Sequence, residues 1–456
     1  MFKALLRKEI LANLYNQRYV ITLLLMVVLV GLSVWGIEQT YRLQLEHFAD
    51  AQLRYEEDAK AAKQVWQFMA SGVTTEKKPG SLAVIGRGLD DEMARALTYS
   101  GWNEVEVGPI KLFSPLFRMY SPPDFIYIIN IVCSLLALLF VYDAVCGEKE
   151  SGTLRLTLTY PIPRNIVLLA KWVAGVLSLC VPLALATFGA WIYLYFTPAF
   201  ELTIDHAMRF LLVFAVSVIY LSTFFTLGLF VSCLTPRPTT SLMFCLFLWI
   251  LLVLGIPNLM PMIARSVRPI PSEGKIATEK QHKAKEVSDW VSLNLRSQIH
   301  DRDEYLETER RLIAKALEGI DQFRRNRVQE QISLARDLSR LSPSACYAFA
   351  AYDLANTGAA SFSKFQRYVI WYRHLFNDVK DRLIAEYRRQ NRGKDTWWGQ
   401  QDFRTEDLLL IPRFRPLDIP FTESLGSALP DIGLLAVFNV MFFLGAYVAF
   451  LRYDVR

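Results

Sequence analysis

Gly147-Glu148-Lys149-Glu150-Ser151-Gly152-Thr153-Leu154-Arg155-Leu156-Thr157-Leu158-Thr159-Tyr160-Pro161-Ile162-Pro163-Arg164 is a charged, turn-bounded segment set between two apolar runs of membrane length. It is too polar to cross a bilayer. Its glutamates precede a Ser-Gly pair and a short Leu/Thr/Arg helix follows. Pro161 and Pro163 stop that helix before Arg164, because proline lacks the amide donor a helix interior requires. An amphipathic element in this position lies at the membrane surface, where a partner protein can hold it.

The rest of the 456-residue chain fits a membrane protein with a sizeable aqueous part: 53% of residues are hydrophobic and mean hydropathy is +0.23, yet 21% are charged. The net charge of +6 is small for this length and gives no case for nucleic-acid binding. Five of the six cysteines fall in or beside apolar runs and only Cys346 lies in a long polar region, so no outer disulfide is expected. Lys3, Arg7, Lys8 and Arg18 precede the first apolar run without a small-residue cleavage site after it, which reads as a retained span.

A hydrocarbon core of roughly 30 Å takes about 20 apolar residues in a helix. Six stretches meet that length, near 19–37, 124–143, 172–196, 208–233, 239–262 and 431–451. The fourth and fifth are joined by Leu234-Thr235-Pro236-Arg237-Pro238, a turn that makes them an antiparallel hairpin. Basic residues in short flanking segments stay cytoplasmic. Those of the N-terminus, of 144–171 and of the tail (Arg452, Arg456) put both termini and the quoted segment inside. Arg265, Arg268 and Lys275 dissent, but they open a long loop, where the rule is weak. Residues 2–18 carry Phe2, Leu5, Leu6, Ile10, Leu11 and Leu14 at helical spacing among basic residues and read as an in-plane amphipathic helix.

Two regions remain for the outer side. Residues 38–123 begin as a helical extension of the first span, then break at glycines, with short strands expected at Val84-Ile85 and Val105-Glu106-Val107. Residues 263–430 read as mostly helical: two long antiparallel helices over 276–341 with a break near His300-Asp301 or Gly319, and a third near 362–391. The fold class expected is therefore mostly α, a polytopic membrane protein with six transmembrane helices, the in-plane helix and a large helical extracytoplasmic domain.

The quoted segment resembles the coupling helix of type-2 ABC transporter permeases, whose pattern Glu-x-x-x-Gly-Thr-Leu, followed by a proline and a basic residue, falls here on Glu148, Gly152, Thr153, Leu154, Pro161 and Arg164. Ser342-Pro343 and Asp353-Leu354-Ala355-Asn356-Thr357-Gly358 are similar to a segment that follows the helical insertion in a subgroup of these permeases. The resemblance implies a dimer with a second permease copy or paralogue, seated on two cytoplasmic ABC ATPase subunits. ATP and Mg would be bound by those ATPases, this chain having no cofactor of its own. It also implies an inner-membrane location, with an extracytoplasmic accessory protein as a possible further partner. Glu148 and Glu150 are then expected to address basic groups on the ATPase, Gly152 to permit close approach, and Arg164 to anchor the far end.

No nucleotide-binding loop, His-Glu-x-x-His or Gly-x-Ser-x-Gly occurs, so no catalytic residue is assigned. Asp124, Asp143, Glu201, Asp205 and His206 map to span ends as interfacial anchors, and Arg209 is expected to snorkel. Within the spans the only polar groups expected are hydroxyls such as Ser134, Ser178, Thr187, Ser217, Ser222, Thr223, Thr226 and Ser241. If they line a permeation surface they favour hydrophobic or amphiphilic cargo, although hydroxyls also serve helix packing. Aromatic residues of spans three and four line a cleft or pack on one another. Three function classes follow: export of such a cargo, force relay to an outer partner without cargo, and an intramembrane enzyme, for which no converging acid, base or nucleophile is visible.

Overall fold

Apolar residues three and four apart from Phe2 onward form α1 (Phe2–Leu14), which a short break at Tyr15-Asn16 separates from α2 (Gln17–Ala61). The computed structural model describes residues 2–61, 73–80, 82–89, 96–99, 106–108, 123–159, 163–198, 200, 203–299, 302–390, 417 and 419–452. Helix dominates because the apolar runs carry few breakers and a bilayer demands that backbone groups be satisfied within the segment. Among the described residues six helices are long and apolar enough to cross a membrane, within Gln17–Arg54, Phe125–Glu150, Arg164–Tyr195, Ile204–Leu234, Pro238–Val267 and Phe421–Leu451.

The second of these is built from α3 (Phe125–Ile128), a π turn (Ile129–Cys133) and α4 (Ser134–Val141). The short helices α5 (Cys146–Glu150) and α6 (Thr153–Thr159) follow, then α7 (Arg164–Tyr195) and α8 (Ile204–Leu234). The fifth span comprises α9 (Pro238–Trp249), a second π turn (Ile250–Gly255) and α10 (Ile256–Val267). Beyond it lie α11 (Glu273–Asn294), α12 (Arg302–Ser339), α13 (Pro343–Leu354) and α14 (Ala359–Gln390), and α15 (Phe421–Leu451) is the sixth span. Three short strands, β1 (Val73–Glu76), β2 (Ala96–Tyr99) and β3 (Glu106–Gly108), form an antiparallel sheet in the order β1-β2-β3, with Val73 opposite Tyr99 and Ala96 opposite Gly108. Val84-Ile85, expected as a strand, is instead a buried turn, because its carbonyls and amides serve a tight bend and the start of α3.

The chain divides into two compact units, Met1–Leu248 with Cys346–Arg456, and Trp249–Ala345. In the second, α11 and α12 run antiparallel: Lys280 pairs with Asp321 at 2.7 Å and Ser288 donates to Glu309 nearer the turn. The break falls before Arg302, and Gly319 sits uninterrupted inside α12. The last turns of α12 run back along α10, with Gln331 donating to the Arg268 carbonyl at 2.7 Å and Ser342 donating to the Leu252 carbonyl in the middle of the fifth span.

In the first unit α13 packs along α8. Tyr347 meets the Ser217 hydroxyl at 3.0 Å and stacks on Tyr220 at 4.3 Å between centroids. Ser217 lies about 20 Å along α8 from Ile204 at 1.5 Å per residue. Sequence places all of 263–430 outside the membrane, whereas Tyr347 of α13 meets α8 at Ser217 and Tyr220, within the fourth candidate span. Hydropathy misses this contact because α13 has only 12 residues, too few to register as a span.

The hydroxyls are packing groups, not a lining. All eight are buried. Ser134, Ser178, Thr187, Ser217, Thr223 and Thr226 each donate to a carbonyl four residues back. Ser241 donates to the Tyr142 carbonyl, and Ser222 accepts from Asn439 of α15. Trp172 donates to Thr226, tying α7 to α8. The aromatic residues pair with one another, as Trp191 does with Phe210 at 4.2 Å and Trp172 with Phe443 at 5.6 Å. The spans also hold buried charge that the sequence did not reveal: Lys171, Arg209, Asp431 and Glu38.

Candidate functional site

The segment between spans two and three forms an elbow. Its first half is bolted to neighbouring spans. Ser232, near the end of α8, accepts from the backbone amides of Val145 and Cys146 at 3.0 and 3.1 Å, which satisfies donors that the first turn of α5 leaves open. Lys149 donates to the Cys233 carbonyl and, at 3.2 Å, to that of Thr235, placing a cation on the negative end of α8. Arg18, at the base of α2, pairs with Asp143 at 2.8 Å, donates to the Tyr142 hydroxyl at 3.1 Å and lies over its ring.

Glu148, expected to reach outward, is turned inward. Its Oε1 accepts from Lys171 Nζ at 2.7 Å, and the same ammonium donates to Glu9 Oε1 and Oε2 of α1 at 3.2 and 3.3 Å. One nearly buried cation thus joins α1, the elbow and the third span. Glu148 Oε2 is buried with no hydrogen-bond partner. Sequence reasoning missed this hub by counting Lys171 only as a cytoplasmic flank. The available signal was its place among apolar neighbours in α7, where an ammonium needs a counter-ion.

Gly152 adopts φ +74° between α5 and α6, and a Cβ built there meets nothing within 4 Å. Glycine is required by the left-handed backbone, not by crowding within this chain. Thr153 begins α6, its hydroxyl 2.9 Å from that of Ser151, and Leu154 is fully buried as the plug that seats α6. Glu150, Arg155 and Leu156 face outward, Leu156 at 67% exposure. Arg164 donates to the Leu451 carbonyl at 2.9 Å, pinning the far end of the elbow to the C-terminal end of α15. Pro161 lies outside the described residues. Among the described residues no group of three or more His, Cys, Asp or Glu could hold a metal ion.

Residues 3–455 match the family model for ABC-2 family transporter proteins. The chain belongs to that family. It is a multi-pass membrane protein of the permease type. Among curated proteins it is similar to the probable ABC transporter permease protein NosY of Stutzerimonas stutzeri, 59% identical over 39 residues, 9% of this chain and 14% of that protein. A second similarity is to the protein of the same name from Pseudomonas aeruginosa, 53% identical over 53 residues, 12% of this chain and 18% of that protein. The chain therefore spans less than a fifth of the length of either relative.

Proposed function

We propose that this ABC-2 family chain receives the stroke of two cytoplasmic ATPase subunits at the elbow and uses it to export a hydrophobic or amphiphilic substrate. ATP and Mg are held by the ATPases. The complex sits in the inner membrane with both termini of this chain cytoplasmic and a second permease copy or paralogue beside it. The observation that carries this reading is the contrast between the two faces of the elbow. Inward, Asp143, Val145, Cys146, Glu148, Lys149 and Arg164 are all bonded to other elements. Outward, Glu150 and Leu156 are exposed for a partner. A push on that outward face would be passed to the bundle with little local give.

The contact residues of the ATPase are accordingly Glu150 and Leu156, with Gly152 and Thr153 shaping the bend, Leu154 seating it and Glu148 acting from within. Leu156→Asp combined with Glu150→Lys is expected to lower co-purification of the ATPase by about tenfold or more, the scale of a lost anchor. Unchanged association and ATP-driven activity would overturn the reading.

A second reading, force relay to an outer partner without cargo, is favoured by the buried and fully used hydroxyls. Reconstituted vesicles distinguish the two: movement of an amphiphile supports export, and ATP-dependent rearrangement of the outer helices without movement supports relay.

A further inference from the structure

The Asp353-Leu354-Ala355-Asn356-Thr357-Gly358 segment has a role that the elbow does not explain. It joins α13 to α14, and several polar groups in and beside it are held by other elements, while the buried Thr357 Oγ1 has no hydrogen-bond partner. Tyr352 donates to both carboxylate oxygens of Asp124, at 3.1 and 3.2 Å, where that aspartate caps α3 by accepting from Tyr127 N at 2.6 Å. The Leu354 carbonyl accepts from Arg209 of α8 at 3.1 Å. The carbonyls of Ala355 and Thr357 accept from the amides of Leu82 and Leu89 in the first outer region, at 3.2 and 3.0 Å. Asp353 turns back to accept from the Ala360 amide at the start of α14.

Arg209 is the centre of this arrangement. Expected to snorkel, it is instead 0% exposed. Besides Leu354 it donates to Asp205 at 2.6 Å, to the Ile419 carbonyl at 2.7 Å and to the Ser424 hydroxyl at 2.8 Å, at the start of α15. One guanidinium, with its rigid fork of donors, therefore sets the spacing of α8, α15 and the end of α13. The segment itself has little room to adjust: Asn356 sits at φ +66°, and a Cβ at Gly358 would come within 2.2 Å of Asp353 Oδ1. A Cβ at Gly88 would come within 2.5 Å of the Thr357 carbonyl.

We infer that residues 352–358 are the output joint of this subunit, at which a change in the spacing of spans two, four and six becomes a swing of α14, with Arg209 as its positioning residue. The joint belongs to the outer ends of three spans, whereas the elbow belongs to their inner ends. The stroke enters at one and leaves at the other, and α14, a 32-residue amphipathic helix rooted at the joint, carries the displacement outward. This rests on the reading that ATPases drive the elbow.

The test is a pulsed dipolar distance between spin labels at Leu211 of α8 and Gln366 of α14, both exposed, in the complete complex with and without ATP and vanadate. Tyr352→Phe removes only the hydroxyl on Asp124, and Asn356→Gly keeps the backbone conformation while loosening it, so both leave a foldable chain. Arg209→Lys keeps the charge without the fork. The wild type is expected to show an ATP-dependent distance change. The variants should lose it by about threefold or more in population while ATPase association and hydrolysis are retained, a separation that simple loss of stability would not give. A distance change in Tyr352→Phe and Asn356→Gly equal to that of the wild type overturns the joint, as does a wild-type α14 that stays fixed while the ATPase binds and turns over. Failure of the wild type to bind any ATPase strikes the function proposed above instead.

Discussion

Replacing Lys171 by Met removes the one cation shared by Glu9 and Glu148. The Lys171 side chain is 6% exposed and those of its partners are 17% and 23% exposed, so the three charges sit where water cannot replace the ammonium well. Breaking a buried pair costs about 3–5 kcal/mol, because a charge is left uncompensated. Here two carboxylates are left facing each other, but their residual exposure allows partial rehydration, which points to the lower end, about 3 kcal/mol. The apparent melting temperature of the detergent-purified chain should fall by several degrees, since 1 kcal/mol corresponds to about 2–4 °C in chains of 150–250 residues and less in longer ones. The control decides the cause. Glu9→Gln with Lys171→Met and Glu148→Gln removes every charge while keeping shape, and it should recover most of the loss. If Lys171→Met melts with the wild type, or if the neutral triple variant is as weak as the single one, the ammonium is not holding the three elements together.

Gly152→Val should destabilise the elbow by about 1–2 kcal/mol through its left-handed backbone alone, and Gly152→Asn by less, as read from melting of the two variants. Arg209→Met orphans two carbonyls and the Ser424 hydroxyl and should cost about 3–5 kcal/mol, visible as lower folded yield and earlier melting than Arg209→Lys. Burial holds the Asp124 carboxyl above its ordinary value of 3.8, against the bonds from Tyr127, Tyr352 and Arg87. The folded chain thus binds this proton more tightly than the unfolded one. Its contribution to stability is complete below about 3.8 and is lost as pH rises through the elevated folded value. Melting of the wild type should therefore decline from about pH 4 upward relative to Asp124→Asn, and parallel curves for the two would refute the assignment.

The six spans, the helix over Phe2–Leu14 and the charged pair α11 and α12 were legible because each depends on periodicity within one segment. The break between α8 and α9, at 235–237, was legible because two prolines act locally. Partnerships between distant segments were not. Nothing near Lys171 in sequence announces Glu9, and Arg209 reads as a flank until Leu354, Ile419 and Ser424 are seen around it. The hydroxyls misled for the same reason: a serine spent on its own helix and one facing a pathway have identical neighbours in sequence. Of the elbow residues, Gly152 and Leu154 do what their types suggest. Glu148 does not, because its counter-ion arrives from a helix that begins 16 residues later.

The first span has a length that matters beyond its anchoring. α2 is one unbroken 45-residue helix, about 68 Å at 1.5 Å per residue, against a hydrocarbon core of roughly 30 Å. Its foot is clamped by Arg18 to Asp143, and β1 packs against it. A rigid rod pivoting at the membrane magnifies small rotations at its free end: with about 35 Å projecting, a tilt of about 10° carries the tip about 6 Å. A tilt of that size is large enough to open or close a contact at the far end of the helix.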